Sequence, residues 1–251
     1  MIEQTLSQLR QLKLTGMAGA LQTQQEQPGT YQGLAFAERL QLLVDQENQE
    51  RQQRKQERLI RTAQFKLKAH AQGIDYQHPR GLQQAQMASL LMCDWLNKNQ
   101  NLLLTGPCGS GKTYLACALG HQACLKGYSV RYVRLSRLVL ALTQAKADGS
   151  YSQMLKTLAN FDCLILDDWG LEPLTAATRN DLMEIMDDRH EQSATVIISQ
   201  LPTDQWYQAI GDNTLADAIL DRLMHNAHRI NLKGESMRKK LNSLTQVEHL
   251  G

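Results

Sequence analysis

The hydrophobic pattern divides the chain into a helical first part and an alternating second part. In the first part, apolar residues recur at three- to five-residue steps, the period of an amphipathic helix. One predicted helical stretch covers residues 1–27 and ends at the break Gln27-Pro28-Gly29. A second begins near Leu34, and its apolar stripe fades after Val44. A helix that loses its apolar face either runs through solvent or contacts something polar.

From residue 101 onward, short apolar runs alternate with helical patterns. The predicted strands are 101–105, 129–134, 161–166 and 194–199, and the predicted helices are 84–96, 114–125, 138–147 and 182–190. Strands that alternate with helices predict an α/β fold, a parallel sheet with helices on both faces. Such a sheet binds its ligands at the carboxyl ends of its strands. We place the domain boundary so that residues 1–74 form a small all-helical domain with a basic linker helix, and residues 75–251 form the α/β domain.

Composition narrows the class of protein. The 251 residues carry a formal net charge of only +2, so a nucleic-acid surface would have to be local. The five cysteines are scattered without a C-x-x-C pair, which is typical of free thiols in the cytoplasm and argues against disulfides or a zinc site. No apolar run approaches the roughly 18–20 residues of a membrane span, and the start lacks a signal-peptide core. We therefore expect a soluble, cytoplasmic protein that does not contact a membrane.

Positive charge is concentrated between residues 51 and 80, where eight basic and two acidic residues give a local charge of +6. Five of the basic residues recur at three- and four-residue steps, so a helix would gather them on one face: Arg51, Arg54, Lys55, Arg58 and Arg61. A basic face is typical of binding to a phosphate backbone. It is also typical of a solvated helix surface, and the residues alone leave both interpretations open.

Residues 106–113 have the pattern G-x-x-x-x-G-K-[ST] of a phosphate-binding loop. Their sequence is Gly106, Pro107, Cys108, Gly109, Ser110, Gly111, Lys112, Thr113, and with Tyr114 they are the expected nucleotide-binding residues. Glycines let backbone N–H groups turn toward the phosphates, and the helix N-terminus adds partial positive charge. Lys112 is expected at the β- and γ-phosphates and Thr113 at Mg²⁺. A chance glycine-rich turn would not fill every fixed position between a strand and a helix.

Candidate catalytic residues also stand at the ends of two further predicted strands. The run Cys163–Leu166 is followed by two acids, the Walker B pattern, in which Asp167 is expected to hold Mg²⁺ and Asp168 to deprotonate the attacking water. Alone, the acid pair could simply cap a turn. The last predicted strand ends at Ser199 and Gln200; Gln200 is the first candidate to hold the water and Ser199 the second, and a cap for the next helix is the alternative.

The order of these motifs resembles the AAA+ ATPases. The phrases LLLTGPCGSGKTYLA, DCLILDDWG, VIISQLP, DAILDRLMHNAHRI and GESMRKK resemble, more narrowly, the IstB-like proteins. These are transposition helpers of insertion sequences, related to the replicative helicase loaders of the DnaC type. The resemblance covers nearly the whole chain. The departures are Cys108 in the loop, Asp168 in place of glutamate, and Gln200 where helicase loaders often have asparagine.

The resemblance implies an ATP- and Mg²⁺-dependent ATPase with an arginine finger, Arg222, and a sensor 2 arginine, Arg238. On sequence alone Arg222 could instead pair with Asp217 or Asp221 on its own helix. The implied function is a regulator of DNA transposition that forms a homo-oligomeric ring or spiral on duplex DNA and recruits or activates a transposase. The alternatives are a DnaC-like helicase loader and a nucleotide-dependent scaffold with negligible hydrolysis. Further candidates for DNA contacts are basic residues outside the helical face: Lys66, Lys68, Arg131, Arg134, Arg137 and Lys146.

Overall fold

The computed structural model describes residues 2–234, 236 and 237, and the chain divides into two compact units, Met1–Arg58 and Leu59–Gly251. The predicted domain boundary at residue 75 lies inside the second unit, because Ala63, Ala69 and Ile74 are buried in the core of that unit. Whether residues 1–74 act as a separate functional domain stays a prediction.

The first unit is helical, as the apolar periodicity predicts. Its helices are α1 (Ile2–Gln11), α2 (Thr15–Glu26), α3 (Pro28–Tyr31) and the start of α4 (Phe36–Ala63), which continues into the second unit. The predicted helical stretch 1–27 consists of two helices, which Lys13 separates with a left-handed φ of 60°. Pro28 stands in the first turn of α3, where its missing N–H costs nothing.

A buried carboxylate joins α2 to α4. Glu47 of α4 is 4% exposed, and its Oε2 accepts hydrogen bonds from Gly16 N at 2.8 Å and Met17 N at 3.2 Å. It therefore caps the first turn of α2, where N–H groups have no partner within the helix. A Cβ on Gly16 would lie 2.7 Å from the Cα of Glu47, so this approach requires glycine. Arg51 Nε neutralises the carboxylate from 2.6 Å.

The second unit is an α/β domain. Its elements after α4 are α5 (Gln84–Leu91), α6 (Asp94–Asn97), β1 (Asn101–Thr105), α7 (Lys112–Leu125), β2 (Val130–Arg134), α8 (Leu135–Asp148), α9 (Tyr151–Ala159), β3 (Cys163–Trp169), α10 (Ala176–Arg189), β4 (Ala194–Ser199), α11 (Trp206–Ile210), α12 (Asn213–Met224) and β5 (Ala227–Asn231). All strand pairs are parallel, in the order β2-β3-β4-β1-β5. The predicted parallel sheet is thus confirmed.

Alternate residues of the strands face two separate cores. On one face, Leu102 and Leu104 of β1 pack with α5, α6 and α7; on the other, Leu103 packs with the side of the sheet that α8 to α12 cover. The period of two along each strand produces this division. Since both faces are buried, the strands read as continuous apolar runs.

The order of the strands decides where the site forms. Because β4 lies between β3 and β1, the residues that follow these three strands meet at one edge of the sheet. These residues are the phosphate loop after β1, the acids of β3, and Gln200 after β4. In the part of the chain that the structure describes, no helix has the length and apolar character needed to cross a membrane.

Candidate nucleotide-binding site

The phosphate loop joins β1 to α7, as its flanks predict. Gly106 and Gly111 have φ values of 141° and 92°, which favour glycine. A Cβ on Gly106 would lie 2.4 Å from Leu232 O, so a larger residue would push the loop off the chain that follows β5. Gly111 immediately precedes α7, and the loop therefore ends at a helix N-terminus, which favours bound anions.

Lys112 lies beneath this loop. Its ammonium donates hydrogen bonds to Gly106 O at 2.6 Å and Pro107 O at 2.8 Å, and the residue is 7% exposed. Burial lowers the pKa of Lys112, whereas Cys108, Asp167 and Asp168 act in the opposite direction. The lysine therefore stands where its charge can act on a phosphate held by the loop.

Asp167 is the most constrained of the predicted acids. It is 2% exposed, and its Oδ2 accepts from Thr113 Oγ1 at 3.0 Å and from the Tyr132 hydroxyl at 2.6 Å. Burial and then this hydrogen bond raise the pKa of Tyr132, so the phenol remains a donor. Tyr132 was not among the residues predicted from the sequence, since a tyrosine in a buried strand usually signals packing alone.

Asp168 points away from this network because β3 has an irregularity beside it. The pairing of β3 with β4 shifts between Leu166 and Trp169, and Asp168 has a φ of 65°. A bulge of this kind redirects one side chain. The Asp168 carboxylate is 31% exposed, and its Oδ2 lies 3.8 Å from Arg134 Nε. The sequence pattern predicts both acids. Because of the bulge, their side chains point in different directions.

Most of the residues predicted for the nucleotide site line one cavity of about 400 Å³: six residues of the loop and the start of α7, together with Asp167, Asp168 and Gln200. Gly106, Pro107 and Ser110 are not among its lining residues. The loop and helix residues are Cys108, Gly109, Gly111, Lys112, Thr113 and Tyr114. Gln200 is exposed to the cavity, whereas the Ser199 hydroxyl is buried and donates to Trp169 O at 2.8 Å. Of the two candidates at the end of β4, the geometry favours Gln200.

Arg80 also belongs to this site, although in the sequence it stands out only by its charge. It is 1% exposed; Nη1 donates to Ser110 O in the loop at 2.8 Å, and Nη2 donates to Asp75 O at 2.9 Å. A Cβ on Gly111 would lie 2.2 Å from Nη1. Arg80 therefore fixes the back of the phosphate loop, and no local pattern reveals this because its partner lies thirty residues away.

Arg222 lies at the opposite end of the strands from the phosphate loop. Asn101, the first residue of β1, donates its side-chain N–H to Arg222 O at 3.0 Å, while the phosphate loop follows the last residue of β1. The five residues of β1 separate the Arg222 carbonyl from the phosphate loop by roughly 15 Å. The guanidinium pairs with Asp187 of α10 at 2.7 Å, rather than with Asp217 or Asp221 as the alternative interpretation proposed. Arg238 lies outside the described residues.

All but one of the candidates for DNA contacts fall into three groups. Arg51 and Arg54 pair with Glu47, and Arg54 also lies 3.9 Å from Glu50. Among the described residues, Lys55 and Arg58 form no ion pair, and both are exposed, as are Arg61 and Lys68. The third group lines a second cavity of about 900 Å³ beside β2: Lys66, Arg131, Arg134 and Arg137. Lys146 instead pairs with Asp181.

Comparison with known proteins decides the family. Residues 7–245 match the family described as IstB-like ATP binding protein. The chain belongs to this IstB-like family. It is 46% identical over 235 residues to an insertion sequence ATP-binding protein of Sinorhizobium fredii, covering 94% of this chain and 96% of that protein. It is 47% identical over 204 residues to the ATP-binding protein of insertion sequence IS1162 from Pseudomonas fluorescens, covering 81% and 88%.

Solved structures with a similar fold include a helicase loader. The DnaI crystal structure aligns with a TM-score of 0.56 at 21% identity, over 67% of this IstB-like chain and 90% of DnaI. The DnaC helicase loader aligns with a TM-score of 0.51 at 21% identity, over 59% and 87%. At such identities the likeness shows the fold alone. The family, the loop and the acids of β3 together make this chain an ATP-binding protein and an ATPase.

The donor set of the IstB-like site suits magnesium. The Thr113 hydroxyl and the Asp167 carboxylate are hard oxygen ligands 3.0 Å apart, at the helix N-terminus where the phosphates would lie. Mg²⁺ is usually held by one or two such groups and by phosphate oxygens. When bound, the ion would neutralise part of the phosphate charge.

Proposed function

We propose that this IstB-like protein is an ATP-dependent regulator of DNA transposition, which assembles on duplex DNA and recruits or activates a transposase. The observation that carries the proposal is that the nucleotide site and Arg222 lie at opposite ends of the strands of one sheet. If Arg222 is the arginine finger, a complete site then needs a second copy. The insertion-sequence names of the relatives support the transposition context.

The geometry supports the following roles in hydrolysis. The loop and Lys112 bind the phosphates, and Thr113 and Asp167 hold Mg²⁺. Asp168 accepts the proton of the attacking water, and Gln200 orients that water from the neighbouring strand end. Aspartate is one methylene shorter than glutamate, and the left-handed backbone at Asp168 supports its role by turning the carboxylate toward the cavity.

Arg222 would act on the nucleotide of a neighbouring copy. The side chain of Arg222 is 25% exposed and that of its partner Asp187 is 61% exposed, so the pair is accessible from the surface. An exposed ion pair contributes only about 0–1 kcal/mol, so exchanging Asp187 for a phosphate costs little. A guanidinium that reaches a γ-phosphate in this way stabilises the charge of the transition state.

Binding to DNA would be mainly to phosphates. The described residues show exposed basic side chains on α4 and a basic cavity beside β2, which support contacts to a backbone rather than to base edges. The DNA gathers copies of the protein, and assembly completes the ATPase sites. The transposase would then bind the assembled form.

The test is steady-state phosphate release over a range of protein concentrations, with and without duplex DNA. We expect DNA to stimulate release and the rate to rise more steeply than linearly with concentration. Asp168→Asn should bind ATP normally and lower turnover by about 10²–10⁴-fold, the usual contribution of a general base. A linear rate that DNA leaves unchanged would contradict the proposal.

Capture experiments separate the two partner classes. Immobilised protein with ATP and duplex DNA should retain the transposase encoded by the same insertion sequence. Retention of a ring helicase instead, with preference for single-stranded DNA, would favour the helicase-loader alternative.

A further inference from the structure

The segment that follows α4 is fixed against α7. Gln64 has a left-handed φ of 54°, which ends the helix and turns the chain. Phe65 then packs where α7 has Gly120, since a Cβ there would lie 2.6 Å from its ring. Ala63 and Ala69, on either side, are 0% and 2% exposed. The backbone between them is therefore held in place, and Lys66 projects from a rigid support.

Lys66 projects into the nucleotide cavity. Its Nζ lies 3.9 Å from Oδ2 of Asp167, the same oxygen that accepts hydrogen bonds from Thr113 and Tyr132. The side chain is 30% exposed and lines the cavity together with Lys112. A residue that the charge pattern groups with the DNA-binding candidates thus stands at the magnesium end of the ATP site.

A triphosphate bound in this cavity would need a further positive charge near Asp167. Asp167 and Asp168 bring two carboxylates to the place where a triphosphate must bind, and one Mg²⁺ neutralises only part of the phosphate charge. Arg80 is already engaged with two backbone carbonyls, and Lys112 is assigned to the phosphates that the loop holds. Lys66 places its ammonium beside Asp167. Its 3.9 Å separation from Asp167 is long for an ion pair, so the ammonium gives up little when it moves to another anion.

We propose that Lys66 binds the terminal phosphates of ATP, within the nucleotide site of its own chain. The proposal rests on the proposed ATP site and deepens it by adding a second lysine. The ammonium pairs with Asp167 and moves to a phosphate oxygen when Mg²⁺ occupies the carboxylate. A flexible four-carbon stem with a point charge suits this movement. Lys66 then makes no contact with the DNA backbone, although it also borders the basic cavity beside β2.

The experiment compares Lys66→Gln with wild type by calorimetry, using ATP with Mg²⁺ and ADP with Mg²⁺. We expect affinity for ATP to fall about tenfold or more, the usual effect of losing one charged hydrogen bond, and affinity for ADP to fall less. Lys66→Arg keeps the charge and should retain most of the affinity. Lys156→Gln removes the same charge from the exposed surface of α9 and is the matched control. Circular dichroism checks that each variant is folded.

DNA binding by the same variants supplies the second readout. If Lys66 serves the nucleotide, the slope of log affinity for duplex DNA against log salt concentration is the same for Lys66→Gln and wild type, measured without nucleotide. Unchanged ATP affinity in folded Lys66→Gln overturns the role of Lys66, and a shallower salt slope would then assign it to DNA. If even the wild-type protein fails to bind ATP, and Lys112→Ala behaves identically, the proposed ATP site itself is wrong.

Discussion

Thr113, Tyr132 and Lys66 converge on one oxygen of Asp167, and these contacts hold the carboxylate in place. Two hydroxyl donors and a nearby ammonium fix the direction of this carboxylate. A ligand for Mg²⁺ must be correctly placed, so the side chains around Asp167 prepare it for the ion. Asp168, one residue on, is more exposed and lines the nucleotide cavity.

Arg80 yields a prediction about the shape of the phosphate loop. Lysine keeps the positive charge but cannot bridge Ser110 O and Asp75 O as the planar guanidinium does. Arg80→Lys should therefore lower the free energy of unfolding by about 1–3 kcal/mol and weaken ATP binding several-fold, through a displaced loop. Urea unfolding and calorimetry measure the two effects. Arg229→Lys, at an exposed position of β5, is the control and should change neither. Wild-type values for Arg80→Lys would show that the loop holds its shape unaided.

At the level of helices, the capping of α2 by Glu47 predicts a dependence on pH. Burial acts to raise the pKa of Glu47, but hydrogen bonds from Arg51, Met17 N and Gly16 N outweigh it, and the pKa is lowered from 4.5. A lowered pKa in the folded state means that the carboxylate stabilises the fold above the unfolded pKa and loses this effect as pH falls through the folded one.

Glu47→Gln should therefore lower the free energy of unfolding at pH 7 by about 1.5–3 kcal/mol, the range for hydrogen bonds to a charged group. The difference from wild type should shrink as the pH falls below 4.5. Urea unfolding over a pH series measures this. Glu57→Gln alters an exposed carboxylate of the same helix and should have little effect. A difference that persists unchanged at low pH would mean that the carboxylate charge is not what caps α2.

Elements with strong local signals could be predicted, and those defined by distant partners could not. The apolar runs of β1 and β4 match the structure residue for residue. In contrast, β5 was not predicted, because only Ile230 of its five residues is buried and the run has no apolar pattern. The predicted helix 84–96 is interrupted at Cys93, which has a left-handed φ of 64° that nothing in its side chain demands.

The candidate site shows the same division. The loop and the acids of β3 are local motifs, whereas Arg80 and Lys66 belong to the site through contacts across thirty or more residues. Their charge was visible in the sequence, but the turn at Gln64 and the burial of Arg80 decide where that charge acts. The role of each residue in catalysis stays a prediction.

For the whole molecule, the pairing of the basic residues on α4 predicts which of them bind DNA. Lys55→Gln with Arg58→Gln should weaken binding to duplex DNA and reduce the log–log salt slope by roughly 0.9 for each phosphate that the variant no longer neutralises. Arg51→Gln with Arg54→Gln removes the same charge, but these arginines already pair with Glu47 and Glu50, so the slope should change less. Fluorescence anisotropy across a salt series gives both slopes. An unchanged slope in the first pair would make this face a solvated or protein-binding surface.

Assembly of the whole molecule matters because Arg222 is proposed to complete the ATPase site of a neighbouring copy. Arg222→Ala should bind ATP yet lose hydrolysis, and Asp187→Asn is the matched control because it breaks the same ion pair while keeping the arginine. If the pair served only the fold, both variants would lose activity together. If Arg222 acts on the neighbour, Asp187→Asn stays active.

Mixing two variants separates the two halves of the proposed shared site. Arg222→Ala and Lys112→Ala, each inactive alone, are combined at varied ratios, and phosphate release is followed with duplex DNA present. At a mixed interface one copy supplies the intact phosphate loop and the other supplies the intact arginine. Release should therefore return on mixing and be greatest near equal amounts of the two variants. Absence of release at every ratio, although the variants assemble together, would contradict a shared site and leave Arg222 with a structural role beside Asp187.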